Sequence, residues 1–403
     1  MKAVMYGGGN IGRGFIGALF SRSGYEVTFI DVAEKVVTTL QQEHKYPVRI
    51  VSSEGYEDLS IENVTAVNGN DAEAAAQVIA DCDIMATAVG VNILKFIVPN
   101  IKAGLKKRFL QTEKPLNILI CENLMDANKI LEKMLKDGED EEFCRLMDER
   151  VGLVEASIGR MVPVQTPDMQ DGNPLRVCVE RYGFLPVDGE AFKGEIPKVE
   201  NMIPFAPFDF YIKRKLYVHN MGHATCAYLG LYRGKEFIYE SIADPWTSLL
   251  VENAMLESAQ ALSKKYGVDM ADIVRHIEDL LFRFTNRALK DTFKRVGGDQ
   301  KRKLAPADRL IGSSLLCLEQ GICPAFIAVG AAGAVYEYLI ETETAQSDEA
   351  ALETLKTLSG LSEEDALTQR ILAMYRLYRQ NADSETLYRA AEAVRHENLV
   401  GVV

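Results

Sequence analysis

Gly7-Gly8-Gly9-Asn10-Ile11-Gly12-Arg13-Gly14-Phe15-Ile16-Gly17 follows a short apolar run, Ala3-Val4-Met5-Tyr6. The apolar run predicts a strand, the glycines a tight turn, and the residues beyond them a helix. Gly7, Gly9 and Gly12 fit the spacing G-x-G-x-x-G. The first glycine permits the turn, the second lets backbone approach a pyrophosphate, and the third lets the helix sit close on the strand. The unpaired N–H groups at the helix start would then face the phosphates. Glycine-rich turns are common, so the flanking sequence has to decide. A second strand, Glu26-Val27-Thr28-Phe29-Ile30, ends at Asp31, 19 residues after Gly12. A carboxylate there accepts from a ribose 2′-hydroxyl and repels a 2′-phosphate. NAD is therefore expected over NADP, held by Gly7, Gly9, Asn10, Ile11, Gly12 and Asp31. An ordinary α/β turn followed by a surface Asp is the competing reading; it leaves the position of Asp31 unexplained.

Working outward, the first 120 residues alternate strand-like and helix-like segments. Val48–Val51 predicts a strand, the alanine-rich stretch 71–80 a helix, and Ile84–Val89 a buried strand ending at Gly90. A helix follows from about Leu94. Leu116–Cys121 predicts another buried strand, ending at Glu122-Asn123. Such alternation implies a parallel sheet wound on both faces, with ligands beyond the carboxyl ends of the strands. Thr87, Val89, Gly90 and Asn123 fall at such ends and join the expected cofactor contacts. From about residue 205 long helical patterns take over, at 211–229, 247–266, 269–284, 310–320, 325–341, 347–358, 363–379 and 383–396. The expectation is an α/β chain: a Rossmann-type, doubly wound domain over 1–198, binding NAD, and a mainly helical substrate and catalytic domain over 199–403.

Composition narrows the function. The chain has 403 residues, 47% of them hydrophobic and 26% charged, which suits two globular domains. A formal charge of −13 argues against a nucleic-acid partner. No apolar run reaches membrane-spanning length, and the glycine turn at Gly7 leaves no room for a leader, so a cytoplasmic protein without a membrane partner is expected. The seven cysteines form no C-x-x-C and sit mostly among apolar residues, as small hydrophobes do in a reducing compartment.

In the helical half, Lys213-Arg214-Lys215-Leu216-Tyr217-Val218-His219-Asn220-Met221-Gly222-His223 gathers groups that do chemistry. On an α-helix the step from Lys215 to Asn220 turns about 140°, and the further step to His223 brings the net to about 80°. A base, an amide and an imidazole then share one broad side. Lysines on helices usually face solvent, but Asn inside a helix needs a side-chain reason. His219 and His223, four apart, could be taken for a metal pair; there is no H-E-x-x-H and no third ligand in view, so no metal is expected.

With these residues in place, the sequence resembles the polyol-specific long-chain dehydrogenases. The likeness runs nearly the length of the chain. It is carried by the Gly7–Gly17 turn, by Thr87-Ala88-Val89-Gly90, by Cys121-Glu122-Asn123, by Lys215-x4-Asn220-x2-His223, and by Arg302-Lys303-Leu304 with Asp308-Arg309-Leu310. The resemblance implies an NAD-dependent, metal-independent hydride transfer between D-mannitol 1-phosphate and D-fructose 6-phosphate. It implies Lys215 as general acid and base, Asn220 and Asn123 as the amides on the reacting oxygen, and His223 as a hydrogen-bond partner of the substrate. Lysine's ordinary pKa of about 10.4 is high for a base at neutral pH. Burial or a cationic neighbour such as Lys213 or Arg214 would lower it.

Lys294-Arg295 and Lys301-Arg302-Lys303 with Arg309 form a basic cluster in an acidic protein. A solvated helix end is the plain reading. The resemblance favours a substrate phosphate anchored by Arg302, Lys303 and Arg309, since Arg matches phosphate in a bidentate fashion. Two rivals stay open at this point: a dehydrogenase of an unphosphorylated polyol or hexuronate, and a non-catalytic NAD-binding regulator. A sugar or polyol phosphate is the expected small-molecule partner, and a monomer or weak homo-oligomer the expected assembly.

Overall fold

The computed structural model describes residues 1–124 and 126–400, with backbone alone at 399 and 400. The chain forms two compact units, Met1–Asp209 and Phe210–Val403.

Among the described residues, the first unit is built on eleven strands: β1 Lys2–Tyr6, β2 Glu26–Asp31, β3 Tyr46–Ser52, β4 Gly55–Ile61, β5 Val64–Asn68, β6 Ile84–Thr87, β7 Leu116–Ile120, β8 Val151–Glu155, β9 Val177–Val179, β10 Leu185–Asp188 and β11 Met202–Phe205. Six of them make one parallel sheet in the order β5-β2-β1-β6-β7-β8. Strand order reverses between β1 and β6, the crevice where open α/β sheets bind ligands. Every residue of β6 and β7 is buried, as a central parallel strand covered on both faces requires. One core lies on each face. Phe15, Phe20, Phe29 and Tyr46 dominate one, and Ile79, Ile97, Ile101, Leu105 and Leu131 the other.

The segment Val48–Val51 is a strand, but it lies outside this sheet. It belongs to β3, which pairs with β4 and β9 in a separate three-stranded sheet. Two features tie that sheet to the glycine turn. The Tyr46 hydroxyl donates to the Arg13 carbonyl at 2.8 Å, and a Cβ on Gly14 would come within 2.9 Å of Val177 and Val179.

The second unit is helical. Helix starts follow side-chain chemistry: Asp244 accepts from the Thr247 N–H ahead of Pro245–Tyr266, and Asp269 accepts from Ala271 ahead of Met270–Phe284. The central helices Met221–Tyr232 and Ala325–Glu341 are apolar almost all round and pack closely through glycines. A Cβ on Gly330 would run into Thr225, and one on Gly333 would lie 2.9 Å from Tyr228.

Ala325–Glu341 starts without a side-chain cap of its own. Glu257, 4% exposed, supplies one from the neighbouring helix: its carboxylate accepts from the Phe326 N–H at 3.0 Å and the Ile327 N–H at 3.0 Å. Burial pushes this carboxyl up to about 8, against the pull of those N–H groups. The folded chain therefore holds the proton more tightly than the unfolded chain, whose Glu titrates near ~4.3. The stability from this group is complete below that value and is lost as pH rises through about 8. Glu257→Ala is expected to lower stability at pH 6 by about 2–4 kcal/mol, since two donors lose their partner. It should also flatten the pH dependence between pH 6 and 9. Urea unfolding of both proteins at the two pH values checks this; parallel pH dependences would contradict it.

Candidate functional site

The glycine turn takes the shape that its spacing predicts. Gly7 closes β1 with φ +99°, a conformation that favours glycine, and its N–H donates to the Ile30 carbonyl at 2.8 Å. A Cβ on Gly12 would run into the Gly7 carbonyl oxygen. Gly9 is exposed and has open space where its Cβ would stand. Asn10 is exposed beside it, and Ile11 packs on the core. The helix that follows winds with π geometry over Gly12–Gly17 and continues as an α-helix over Ala18–Arg22. A turn kept free of side chains at Gly9 and closed tightly at Gly12 fits a dinucleotide pyrophosphate.

Asp31 ends β2 and is half-buried. Its Oδ2 accepts the Gly8 N–H at 2.6 Å and its Oδ1 the Ala33 N–H at 2.8 Å. The residue expected to read the ribose thus also anchors the turn. Arg13, 5% exposed, holds the other side of the same residue, donating to the Gly8 carbonyl. Sequence reasoning missed this brace, since an Arg after a glycine turn reads as a surface residue.

The remaining expected contacts of this unit gather at the ends of β6 and β7. Thr87 is fully buried, and its Oγ1 has no hydrogen-bond partner among the described residues. Its carbonyl accepts the Cys121 N–H at 3.0 Å, tying the two strand ends together. A Cβ on Gly7 would lie 2.5 Å from the Ala88 carbonyl oxygen and 3.1 Å from Val89, so this loop abuts the glycine turn. Val89 and Gly90 are held by Glu122, and Asn123 is the exposed residue next to it.

In the second unit, Lys215–Asn220 winds as a π-helix between the α-helices Asp209–Arg214 and Met221–Tyr232. Backbone bonding in a π turn runs from i to i+5. Residues five apart then lie one above the other, so Lys215 and Asn220 share a face. The spread of about 140° expected for an α-helix is corrected by this wider turn. Both residues are half-buried. His223 follows three residues on, within about 60° of Asn220. Lys213 lies with its Nζ 5.8 Å from the Tyr266 ring centre and Arg214 with its guanidinium 4.7 Å from that of Tyr211.

His223 is buried and stacked on Phe284, with ring centres 4.8 Å apart and planes 20° apart. Its Nε2 stands 3.2 Å from Asp291 Oδ2, but off the hydrogen-bond axis, so the nitrogen has contact without an aligned bond. Asp291 Oδ1 takes the Arg295 Nε at 2.8 Å. Burial pushes the Asp291 carboxyl up, yet contact with His223 and Arg295 more than offsets this and holds it below the usual range. Burial, reinforced by the Arg283 charge, holds His219 well below its ordinary value, so its ring is neutral near pH 7. Phe284 and Asp291 lie far along the chain from His223 and carry no local motif, so sequence spacing gave no signal for either.

Arg302, Lys303 and Arg309 come together, though with carboxylates among them. Arg302 Nε binds Asp299 Oδ2 at 2.7 Å and its Nη1 lies 3.6 Å from Asp308 Oδ2; Arg309 Nε binds Asp308 Oδ1 at 2.8 Å. Lys303 is buried and donates to the Gly298 carbonyl. Burial, then the charges of Arg309 and Arg302, lower it to about 8. Among the described residues no three His, Cys, Asp or Glu side chains gather as a metal site would require, and no helix is long and apolar enough to cross a membrane.

Residues 1–201 match the Mannitol dehydrogenase Rossmann domain and residues 208–396 the Mannitol dehydrogenase C-terminal domain. The mannitol-1-phosphate 5-dehydrogenase of Clostridium acetobutylicum is 36% identical over 393 residues, covering 94% of this chain and 100% of that protein. That of Thermoanaerobacter pseudethanolicus is 34% identical over 382 residues, covering 93% and 97%. Among solved structures, Pseudomonas fluorescens mannitol 2-dehydrogenase in ternary complex with NAD and D-mannitol superposes with a TM-score of 0.75 at 14% identity, covering 96% of this chain and 94% of that one. A substrate-free D-sorbitol dehydrogenase gives 0.80 at 14% identity, covering 97% and 94%. At that identity the superpositions speak for the fold alone. The family itself is settled by two consecutive domain matches that between them span nearly every residue: this chain belongs to the mannitol dehydrogenase family.

Proposed function

We propose that the protein is an NAD-dependent mannitol-1-phosphate 5-dehydrogenase, interconverting D-mannitol 1-phosphate and D-fructose 6-phosphate. The observation that supports the reading is the π turn that puts Lys215 and Asn220 on one helix face, in a chain whose relatives at 34–36% identity carry that name over nearly its whole length.

Gly7, Gly9, Asn10, Ile11 and Gly12 would cradle the pyrophosphate of NAD, with Asp31 on the adenosine ribose and Thr87, Val89, Gly90 and Asn123 further along the strand ends. When bound, NAD supplies a hydride acceptor at its nicotinamide ring. In the oxidising direction Lys215 Nζ takes the hydroxyl proton of the secondary alcohol. The amide N–H groups of Asn220 donate to the same oxygen as its charge grows, the role the family resemblance also implies for Asn123. They stabilise that charge without competing for the proton. His223, fixed by Phe284 and Asp291, hydrogen-bonds a neighbouring substrate hydroxyl. In the reducing direction Lys215 returns the proton and the amides polarise the ketone. Arg302, Lys303 and Arg309 take the phosphate, and no metal enters the reaction.

NADH oxidation with fructose 6-phosphate against fructose tests this. The phosphate contacts should favour fructose 6-phosphate in kcat/KM by at least about a hundredfold. Replacing NADH by NADPH should slow the reaction, because Asp31 repels a 2′-phosphate. Preference for the free sugar would transfer the activity to an unphosphorylated polyol. Cofactor binding without turnover of either sugar would leave a regulator.

A further inference from the structure

Glu122 is a buried carboxylate, 8% exposed, just beyond the end of β7. Its two oxygens are spent on successive backbone donors: Oε1 accepts the Val89 N–H at 3.0 Å and Oε2 the Gly90 N–H at 2.8 Å. Consecutive N–H groups that converge in a turn make a small anion-binding nest. Here the chain fills its own nest. The loop it holds leaves β6, bends at Gly90 with φ +92°, and abuts the glycine turn at Gly7. One carboxylate thus ties the end of β7, which carries Asn123, to the loop that borders the glycine turn.

The sheet order says which end of the cofactor comes here. Asp31 on β2 marks the adenosine side, so a dinucleotide crossing the switch point lays its nicotinamide half over β6 and β7. An amide in place of Glu122 would offer one acceptor for two donors and no charge. A carboxylate offers both, at the side of the sheet where a ring alternates between a cationic oxidised form and a neutral reduced form.

We infer that Glu122 is a positioning residue of the nicotinamide half-site: it clamps Val89–Gly90 in place, and its negative charge favours the oxidised cofactor. The inference rests on the NAD-binding reading above. It assigns Glu122 no contact with substrate.

The test is binding of NAD and of NADH, separately, to the full chain and to two variants. Glu122→Gln keeps the length and one acceptor and removes the charge. The lost acceptor weakens both cofactors and lowers the thermal midpoint somewhat, but the lost charge should raise the Kd for NAD about five- to tenfold more than the Kd for NADH. Glu122→Ala releases both N–H groups, and both Kd values should rise at least about tenfold. Equal losses for the two cofactors in Glu122→Gln, or none in either variant, would overturn the inference while leaving the NAD-binding reading standing. An unaltered chain that binds neither cofactor would overturn both.

Discussion

Gly12→Ala is expected to weaken NADH binding by about ten- to a hundredfold and to lower stability as well. The methyl group would run into the Gly7 carbonyl oxygen, and both atoms belong to rigid parts of the turn. Relief requires the helix to back off β1 or the turn to open, and either movement displaces the N–H groups meant for the pyrophosphate. Gly9→Ala makes the instructive partner. Its added methyl meets nothing within 4 Å, so the folded chain should keep its thermal midpoint. The same methyl would stand where backbone and pyrophosphate come together, so NADH affinity should still fall. Fluorescence titration of NADH and thermal unfolding of both variants separate the two effects. Unchanged affinity in both would remove the glycine turn from cofactor binding.

Much of this architecture is legible in the sequence because its strongest signals are local. Ile84–Thr87 and Leu116–Ile120 are short, mostly apolar runs, with only Thr87 and Asn117 polar, as strands covered on both faces require. Helices in the second unit begin at Asp244 and Asp269, residues whose side chains cap the first turn. β4 gives no such signal. Tyr56, Glu57 and Asp58 are exposed, and the strand exists because β3 pairs with it, a tertiary cause. For the same reason Val48–Val51 reads as a strand but not as a member of a second sheet.

The site divides along the same line. Gly7, Gly12 and Asp31 are readable because their spacing is itself the geometric requirement. The π turn at Lys215–Asn220 is not, since winding to i+5 leaves no periodic mark in six residues, and an α-helical reading sets about 140° between two residues that the wider turn brings closer to one face. Glu122 lies 33 residues from the loop it clamps. Asp291 reaches His223 only through the packing of the helical unit. Contacts of this kind come from the fold, and the sequence names their members without pairing them.

Lys215→Ala should lower kcat with fructose 6-phosphate by about a hundred- to ten-thousandfold, the range that a positioned general acid supplies. An amide such as that of Asn220 has no proton to exchange at neutral pH, so it cannot replace the ammonium group. The change shortens a half-buried side chain in a helix whose packing rests on Tyr217, Val218 and Met221, so the fold should survive. Lys215 is not among the residues proposed to hold NAD, so NADH affinity should stay within about twofold. The decisive measurement takes both quantities from one preparation of Lys215→Ala: NADH binding by fluorescence titration, and fructose 6-phosphate reduction at saturating NADH. Retained binding with turnover lost is the predicted result; retained binding with turnover equal to that of the unaltered protein would contradict the assignment of Lys215 as the proton donor.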